Sequence, residues 1–300
     1  MNSQVKTWPM IHILYHANCV DGFTAAWVVR KALLSETVKE IGESNAMEFH
    51  ACSYGCEIPD SIKPEDTVCI VDFSMSREQT HTLLNTVGIN NLIILDHHKS
   101  AIEKLDGIEL EGILDTSRSG AMLAWNYFFP HLEVPELVKY VQDYDLWQFK
   151  LPNSKEISAY ISTLEFTFKQ WDELEKDLND NAGMMIAHQV GATLLRKLQM
   201  DIESAIKFGA RIETVAGYNV PVLNCPRAWA SEAGNMLCKK FTDAKFAMTW
   251  IQNNQGDFNL SFRSIGEFDV SKIAEIFGGG GHRNAAGANN VSKQFFHDNS

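Results

Sequence analysis

Asp96-His97-His98 closes an apolar run over residues 91–95. An acid and two imidazoles at the tip of a buried strand make poor core material. They make a good divalent-metal site, because carboxylate oxygen and imidazole nitrogen together suit Mn, Fe or Zn. Two other apolar runs end in the same way. Residues 11–15 lead into His16, Cys19, Asp21 and Gly22, and residues 67–71 lead into Asp72. Open α/β sheets gather ligands beyond the carboxyl ends of their strands, so three such tips can converge on one point. Taken singly, each has a plainer reading: a surface tripeptide, an Asp at a helix start, a strand-end cap.

Two further segments carry chemistry. Asp143 and Asp145 lie among aromatics in Tyr140-Val-Gln-Asp-Tyr-Asp-Leu-Trp147, where either a solvated turn or one metal-binding carboxylate fits. Four glycines at 278–281 run into His282 and Arg283. Glycine lets backbone N–H groups approach a phosphate closely, and the two side chains add charged donors. A glycine run by itself reads equally well as a flexible loop.

The elements that must position these groups alternate. Helical spacing of apolar residues predicts helices over 23–34, 76–87, 119–129 and 135–144, the second entered through Ser74 or Ser76 and the last with Pro135 in its first turn. Short apolar strands between helices of this length predict βαβ units and a mostly parallel sheet. Residues 182–208 read as a long helical connector. Beyond it, 211–215, 220–224, 246–251 and 259–263 read as strands of a smaller α/β unit, with a hairpin turn at Gly256-Asp257 and a short helix over 269–277.

Bulk properties limit the function. The chain has 300 residues and a formal net charge of −12, with no dense Lys/Arg run. Two domains suit this length, and a long duplex is not expected as a ligand, because phosphate neutralisation calls for a basic stripe. Small phosphorylated substrates remain open, since bound cations reverse a local field. The six cysteines show no secreted-framework spacing, and no window approaches a membrane span, which predicts a reducing, cytoplasmic setting. His50, Cys52 and Cys56 lack a second pair at finger spacing and read as an ordinary loop.

In chain order, His16 to Asp21-Gly22, Asp72, Asp96-His97-His98, Asp143 and the Gly278-to-Gly287 segment resemble the DHH phosphoesterase superfamily, in the branch that ends in a DHHA1 domain. Tyr54-Gly55, Arg118-Ser-Gly-Ala121 and Asp145-Leu-Trp147 are similar to features of one subgroup, the branch of nanoRNases and cyclic-dinucleotide phosphodiesterases. The resemblance implies a DHH domain over 1–181, a helical linker over 182–208 and a DHHA1 domain over 209–300, with the active site in the cleft between. It implies two divalent ions, most naturally Mn2+, with Asp72 bridging, His16 completing one site, and Asp21, His97 and Asp143 binding the other. His98 would face the substrate, and Asp96 would hold an imidazole tautomer from behind. Arg263, Gly279, Gly280, His282 and Arg283 would grip the substrate phosphate; Arg118 and Asp145 are further candidate site residues.

The implied reaction is hydrolysis of short oligonucleotides or cyclic (di)nucleotides to nucleoside monophosphates, by two-metal activation of water. Alternatives are a single-strand-specific exonuclease, or a nucleotide-binding sensor with impaired catalysis. Because many relatives pair, the resemblance also implies a homodimer. One departure stands out: many family members carry an Asp two residues before the position of Asp21, where this chain has Cys19. A thiolate there either favours Zn or Fe, or does not bind.

Overall fold

The computed structural model of the chain describes residues 9–34 and 36–292. These fall into two compact units that divide between Leu194 and Leu195. The first unit carries β1 (Ile11–His16), α1 (Val20–Leu33), α2 (Glu36–Ile41), β2 (Met47–Cys52), β3 (Thr67–Val71), α3 (Arg77–Val87), β4 (Leu92–Asp96), α4 (Lys99–Leu105) and β5 (Glu111–Leu114). Four helices follow: α5 (Gly120–Phe128), α6 (Glu136–Asp145), α7 (Ser154–Ile161) and α8 (Phe168–Asn179). The five strands form one parallel sheet in the order β2-β1-β3-β4-β5. This is the expected parallel α/β architecture, and it explains why the central strands read as continuous apolar runs: both faces are covered. Ile13, Cys69, Val71 and Leu95 pack with α1, α5 and α6 on one face, and Leu14, Val68, Ile70 and Ile94 pack with α3 on the other.

Local chemistry sets the helix starts. Ser76 and Gln79 close a reciprocal capping box on α3. The Ser119 hydroxyl accepts from Met122 N at the start of α5, and Pro135 precedes α6. From Asp21 to Val29 every residue of α1 is buried. The helix is therefore apolar all round, as one enclosed by a sheet and other helices must be.

One expectation fails. His50 and Cys52 belong to β2, not to a loop. Cys52 is 5% exposed and packs with Leu14 and Val68. The strand is hard to see in the sequence because it lies at the sheet edge, where Glu48, His50 and Ala51 interrupt its apolar positions.

Helix α9 (Asn181–Gly209) leads to the second unit, which holds β6 (Arg211–Val215), β7 (Tyr218–Asn224), α10 (Ala230–Lys240), β8 (Ala247–Gln252), β9 (Phe258–Arg263), α11 (Val270–Ile276), β10 (Gly280–Gly281) and β11 (Ala285–Val291). Its six-stranded sheet has the order β10-β11-β9-β8-β7-β6 and is antiparallel except for β7 with β8. The three antiparallel hairpins and the parallel pair make it the mixed, smaller α/β unit the pattern predicts. Among the described residues no helix is long and apolar enough to cross a membrane.

Candidate metal centre

The carboxyl ends of β1, β3 and β4 are neighbours in the sheet, and their tips meet. Asp72, the first residue after β3, takes the left-handed backbone conformation at φ 60°. This is a strained choice for a residue with a side chain, of a kind that persists where surrounding structure enforces it and that clusters at functional sites. Its N–H donates to Leu95 O at 2.9 Å, which fixes the turn. The carboxylate then points two ways. Oδ1 is 2.9 Å from His97 Nε2, and Oδ2 is 3.4 Å from His16 Nδ1.

Around Asp72 stand two groups of ligand atoms. His16, Cys19 and Asp72 bring theirs within 4.8 Å of one another, and Asp21, His97 and Asp145 do the same. His97 Nε2 lies 3.6 Å from both Asp21 Oδ2 and Asp145 Oδ2. Asp21, in the first turn of α1, accepts from Gly120 N at 2.6 Å and Ala121 N at 3.0 Å, so the start of α5 holds it in place. Close approach explains two glycines here. A Cβ on Gly22 would stand 2.5 Å from His16 O, and one on Gly120 would stand 2.5 Å from Asp72 Cβ. Gly22 thus serves contact with His16 rather than a sharp bend in the chain. Gly120 had no visible role in the sequence beyond the short Arg118-Ser-Gly-Ala121 match.

Asp96 acts from behind, as its neighbours require. Oδ2 accepts from Ser74 Oγ at 2.6 Å. Oδ1 accepts from His97 N at 2.7 Å and His98 N at 3.1 Å, and faces His98 Nδ1 at 2.8 Å. A carboxylate so placed keeps the His98 proton on Nδ1 and sets the ring's orientation. Tyr54, just past β2, lays its ring edge-on to His16 and His98, with centroids 5.9 and 5.8 Å away.

The structure separates the two acids of α6. The carboxylate beside His97 belongs to Asp145, not Asp143. Residues two apart on a helix point about 200° apart, so α6 can present only one of the pair. Asp143 instead accepts from Lys150 N at 2.9 Å and Leu151 N at 3.1 Å. It pins the loop after α6, in which Trp147, Phe149 and Asn153 all take positive φ. Arg118 is also engaged elsewhere, with Asp115 at 2.7 Å and Asn126 at 3.0 Å.

Electrostatics shows what the cluster lacks. Burial, then repulsion from Asp72 and Asp145, pushes the Asp21 carboxyl well up from its ordinary range; burial also raises Asp145. Burial opposes ionisation of Asp72 too, but His16 and His97 hold its carboxyl well below the usual range. Burial would lower His97, yet Asp145, Asp72 and Asp21 push it up to about 10. Burial, then the charges of Asp72, Asp145 and Asp21, raises the Cys19 thiol well above its ordinary range. Three acids against two or three imidazoles is an unbalanced interior. Asp72 Oδ2 and Asp145 Oδ2 are buried and accept no hydrogen bond. Oxygen and nitrogen donors with uncompensated negative charge fit divalent cations.

In the second unit, Arg263 ends β9 opposite Ala285, and the His282-Arg283-Asn284 turn lies at the same end of the sheet. The Arg263 guanidinium donates to Ser231 Oγ at 2.7 Å and Phe262 O at 2.9 Å. Arg283 pairs with Glu267 at 2.9 Å. The second half of the glycine run, Gly280–Gly281, is a strand paired with β11. A Cβ on Gly279 would stand 2.0 Å from Gly287 O, and one on Gly281 would stand 2.7 Å from Ala285 O. Close strand packing therefore demands glycine there, whatever else it permits.

Comparison with known proteins agrees with this architecture. A family model described as the DHHA1 domain matches residues 220–295. An uncharacterized protein of Acanthamoeba polyphaga mimivirus, R106, is 30% identical over 289 residues, covering 92% of this chain and 66% of that protein. The oligoribonuclease NrnB of Bacillus subtilis (strain 168) is 22% identical over 306 residues, covering 91% of this chain and 71% of that one. This chain thus spans about two thirds of the length of these relatives. A solved DHH domain, described as a member of the s1p family of ribosomal proteins, superposes with a TM-score of 0.60 at 15% identity, covering 93% of this chain and 82% of that one.

Proposed function

We propose that this chain, whose residues 220–295 match the DHHA1 domain, is a divalent-metal-dependent phosphodiesterase of the DHH/DHHA1 family, acting on short oligonucleotides or cyclic (di)nucleotides and releasing nucleoside monophosphates. One observation carries the reading: the buried Asp72 carboxylate stands between His16 on one side and His97 on the other, inside an excess of acid. The oligoribonuclease name of the Bacillus relative supports the substrate class, and the absence of a dense basic run favours a substrate of a few nucleotides over a long duplex.

In this reading Asp72 would bridge two ions, with His16 completing one site and Asp21, His97 and Asp145 the other. Cys19 adjoins the first site. Paired Mn2+ ions, when bound, would supply Lewis acidity toward phosphorus and a low-pKa water. The chain's own residues do the rest. Asp96 keeps the His98 proton on Nδ1 and favours its charged form. Burial lowers the His98 pKa, but Asp96 and Asp72 together raise it. A charged His98 can bind a phosphate oxygen or deliver a proton to the leaving oxygen. In the second unit, Arg263, Gly279, Gly280, His282 and Arg283 are proposed to bind substrate phosphate. The corresponding domains are proposed as 1–181 and 209–300, with 182–208 as linker, and the setting as cytoplasmic.

The test is a product-resolved assay with Mn2+ over 5′-phosphorylated dinucleotides, longer single strands and cyclic dinucleotides. Turnover of the short substrates, lost in Asp72→Ala, supports the proposal. Tight nucleotide binding without turnover under Mn2+, Mg2+, Co2+, Zn2+ or Fe2+ would replace it with a sensor.

A further inference from the structure

A second group of metal-binding side chains stands at the opposite end of β1. His12 pairs with Glu48 across β1 and β2, and His50 lies two residues further along β2. Side chains on a strand alternate, so Glu48 and His50 share one face, with His12 beside them. His12 is 1% exposed. Its Nε2 lies 3.1 Å from Asp66 Oδ2, and Asp66 also accepts from Met10 N and Lys63 N, each at 2.8 Å. An aspartate already accepting two amides needs a third donor, so the His12 proton belongs on Nε2. That leaves the Nδ1 lone pair of a neutral His12 aimed at the other two residues.

The three facing atoms are spaced for one cation. His12 Nδ1 is 3.1 Å from His50 Nε2 and 3.4 Å from Glu48 Oε2, and those two are 3.8 Å apart. The circle through three points so separated has a radius of about 2.0 Å, which matches Zn–N and Zn–O bonds of about 2.0–2.2 Å. The carboxylate behind His12 completes the usual acid–imidazole–metal chain. The Glu48 side chain is 45% exposed, so the remaining coordination position can face water.

We infer that His12, Glu48 and His50 form a separate binding site for a zinc-like divalent cation, which clips the edge strand β2 to β1. Its consequence is positional. Strand β2 ends at Cys52 and hands the chain to Tyr54, whose ring borders His16 and His98. A clip on β2 steadies that ring without touching the catalytic cluster. The inference is independent of the proposed activity, since it concerns different residues and is read by metal content.

The test uses the full chain, stripped with a chelator and titrated with Zn2+ or Co2+. To silence the catalytic cluster, the parent is the Asp72→Ala/His97→Ala double variant, which takes a ligand from each of its two groups. It is expected to hold one Zn2+ per chain, and Co2+ in that place should show the strong visible bands of a low-coordinate nitrogen and oxygen set. Adding Glu48→Gln or His50→Gln should weaken Zn2+ binding by more than about 100-fold, and Asp66→Asn by 10–100-fold, as for loss of an outer partner. Circular dichroism checks folding. If His50→Gln does not fold, exposed Glu48→Gln decides alone. A parent that binds no Zn2+, or Glu48→Gln and His50→Gln variants with undiminished affinity, overturns the inference.

Discussion

Strand β1 carries a histidine near each end, and the two surroundings differ in their charge balance. At the start, His12 meets one buried carboxylate, Asp66, whose oxygens accept from two amides and the imidazole. At the finish, His16 meets a cluster with three carboxylates, two of them pushed toward their protonated forms and two of their oxygens without a hydrogen bond. The first network is nearly satisfied and needs a cation only to complete it. The second is costly to keep buried unless cations are supplied, since an uncompensated buried charge is among the most unfavourable things a fold can hold. Imbalance, together with the left-handed Asp72, marks the end that does chemistry.

Removing the bridge should break the contrast most severely. Asp72→Ala is expected to lower Mn2+-dependent turnover by at least about 10³-fold, as loss of several kcal/mol of charge stabilisation would, and to lower bound Mn2+ in elemental analysis. Its melting temperature should change little, because relief of repulsion among the acids offsets the lost contacts to His16 and His97, while the left-handed backbone stays strained under alanine. An Asp72→Ala enzyme with normal metal content and normal turnover would remove the basis for a shared site.

Next in size comes the choice between two acids of α6. Asp145→Asn should cost turnover on the order of 10²-fold and weaken Mn2+ binding, with folding intact. Asp143→Asn should do the reverse: it loses charged hydrogen bonds to Lys150 N and Leu151 N, worth about 1.5–3 kcal/mol, and loosens the loop while metal binding persists. Thermal melts and metal titrations of the pair, run side by side, separate them. If Asp143→Asn strips the metal and Asp145→Asn does not, the assignment reverts to the one drawn from sequence.

That reversal shows what a sequence yields. The three strand tips were legible, because apolar runs ending in His or Asp announce both the strand and the polar group beyond it. Helix starts at Ser76, Ser119 and Pro135 were legible for similar reasons. The phase of α6 was not: one residue of error in a helix turns a side chain by about 100°, and Asp-Tyr-Asp gives no marker of phase. Strand β2 was invisible because an edge strand need not be apolar. Gly120 could not be found because its contact, the Cβ of Asp72, lies 48 positions away. The second histidine cluster joins residues from three segments, and only the strand register places them together.

A smaller effect is expected from Asp96. Asp96→Asn keeps the shape but offers an amide where Ser74, two backbone N–H groups and His98 all require an acceptor. Turnover should fall by 10–100-fold, the range for losing an outer partner, and the pH profile should shift, because His98 loses the nearest charge that raises its pKa. A purely structural role would lower stability and leave the profile in place.

The smallest effect lies at the other end of β1 and is read as stability. Burial works to raise the Asp66 carboxyl, but the Met10 and Lys63 amides and His12 outweigh it and hold it below its ordinary range. A carboxyl with a depressed folded pKa stabilises the fold above its unfolded value of about 3.9, and that contribution is lost as pH falls through the folded value. Asp66→Asn should therefore cost about 1–3 kcal/mol near neutrality, about 2–4 °C of melting temperature per kcal/mol in a unit of this size. The gap between wild type and variant should close as the buffer is taken below pH 4. Turnover at saturating Mn2+ should barely change, because the cluster around Asp72 shares no hydrogen bond with Asp66. A stability gap that stays constant down to pH 2 would mean that the Asp66 charge contributes nothing, and that the two ends of β1 differ less than their hydrogen bonds suggest.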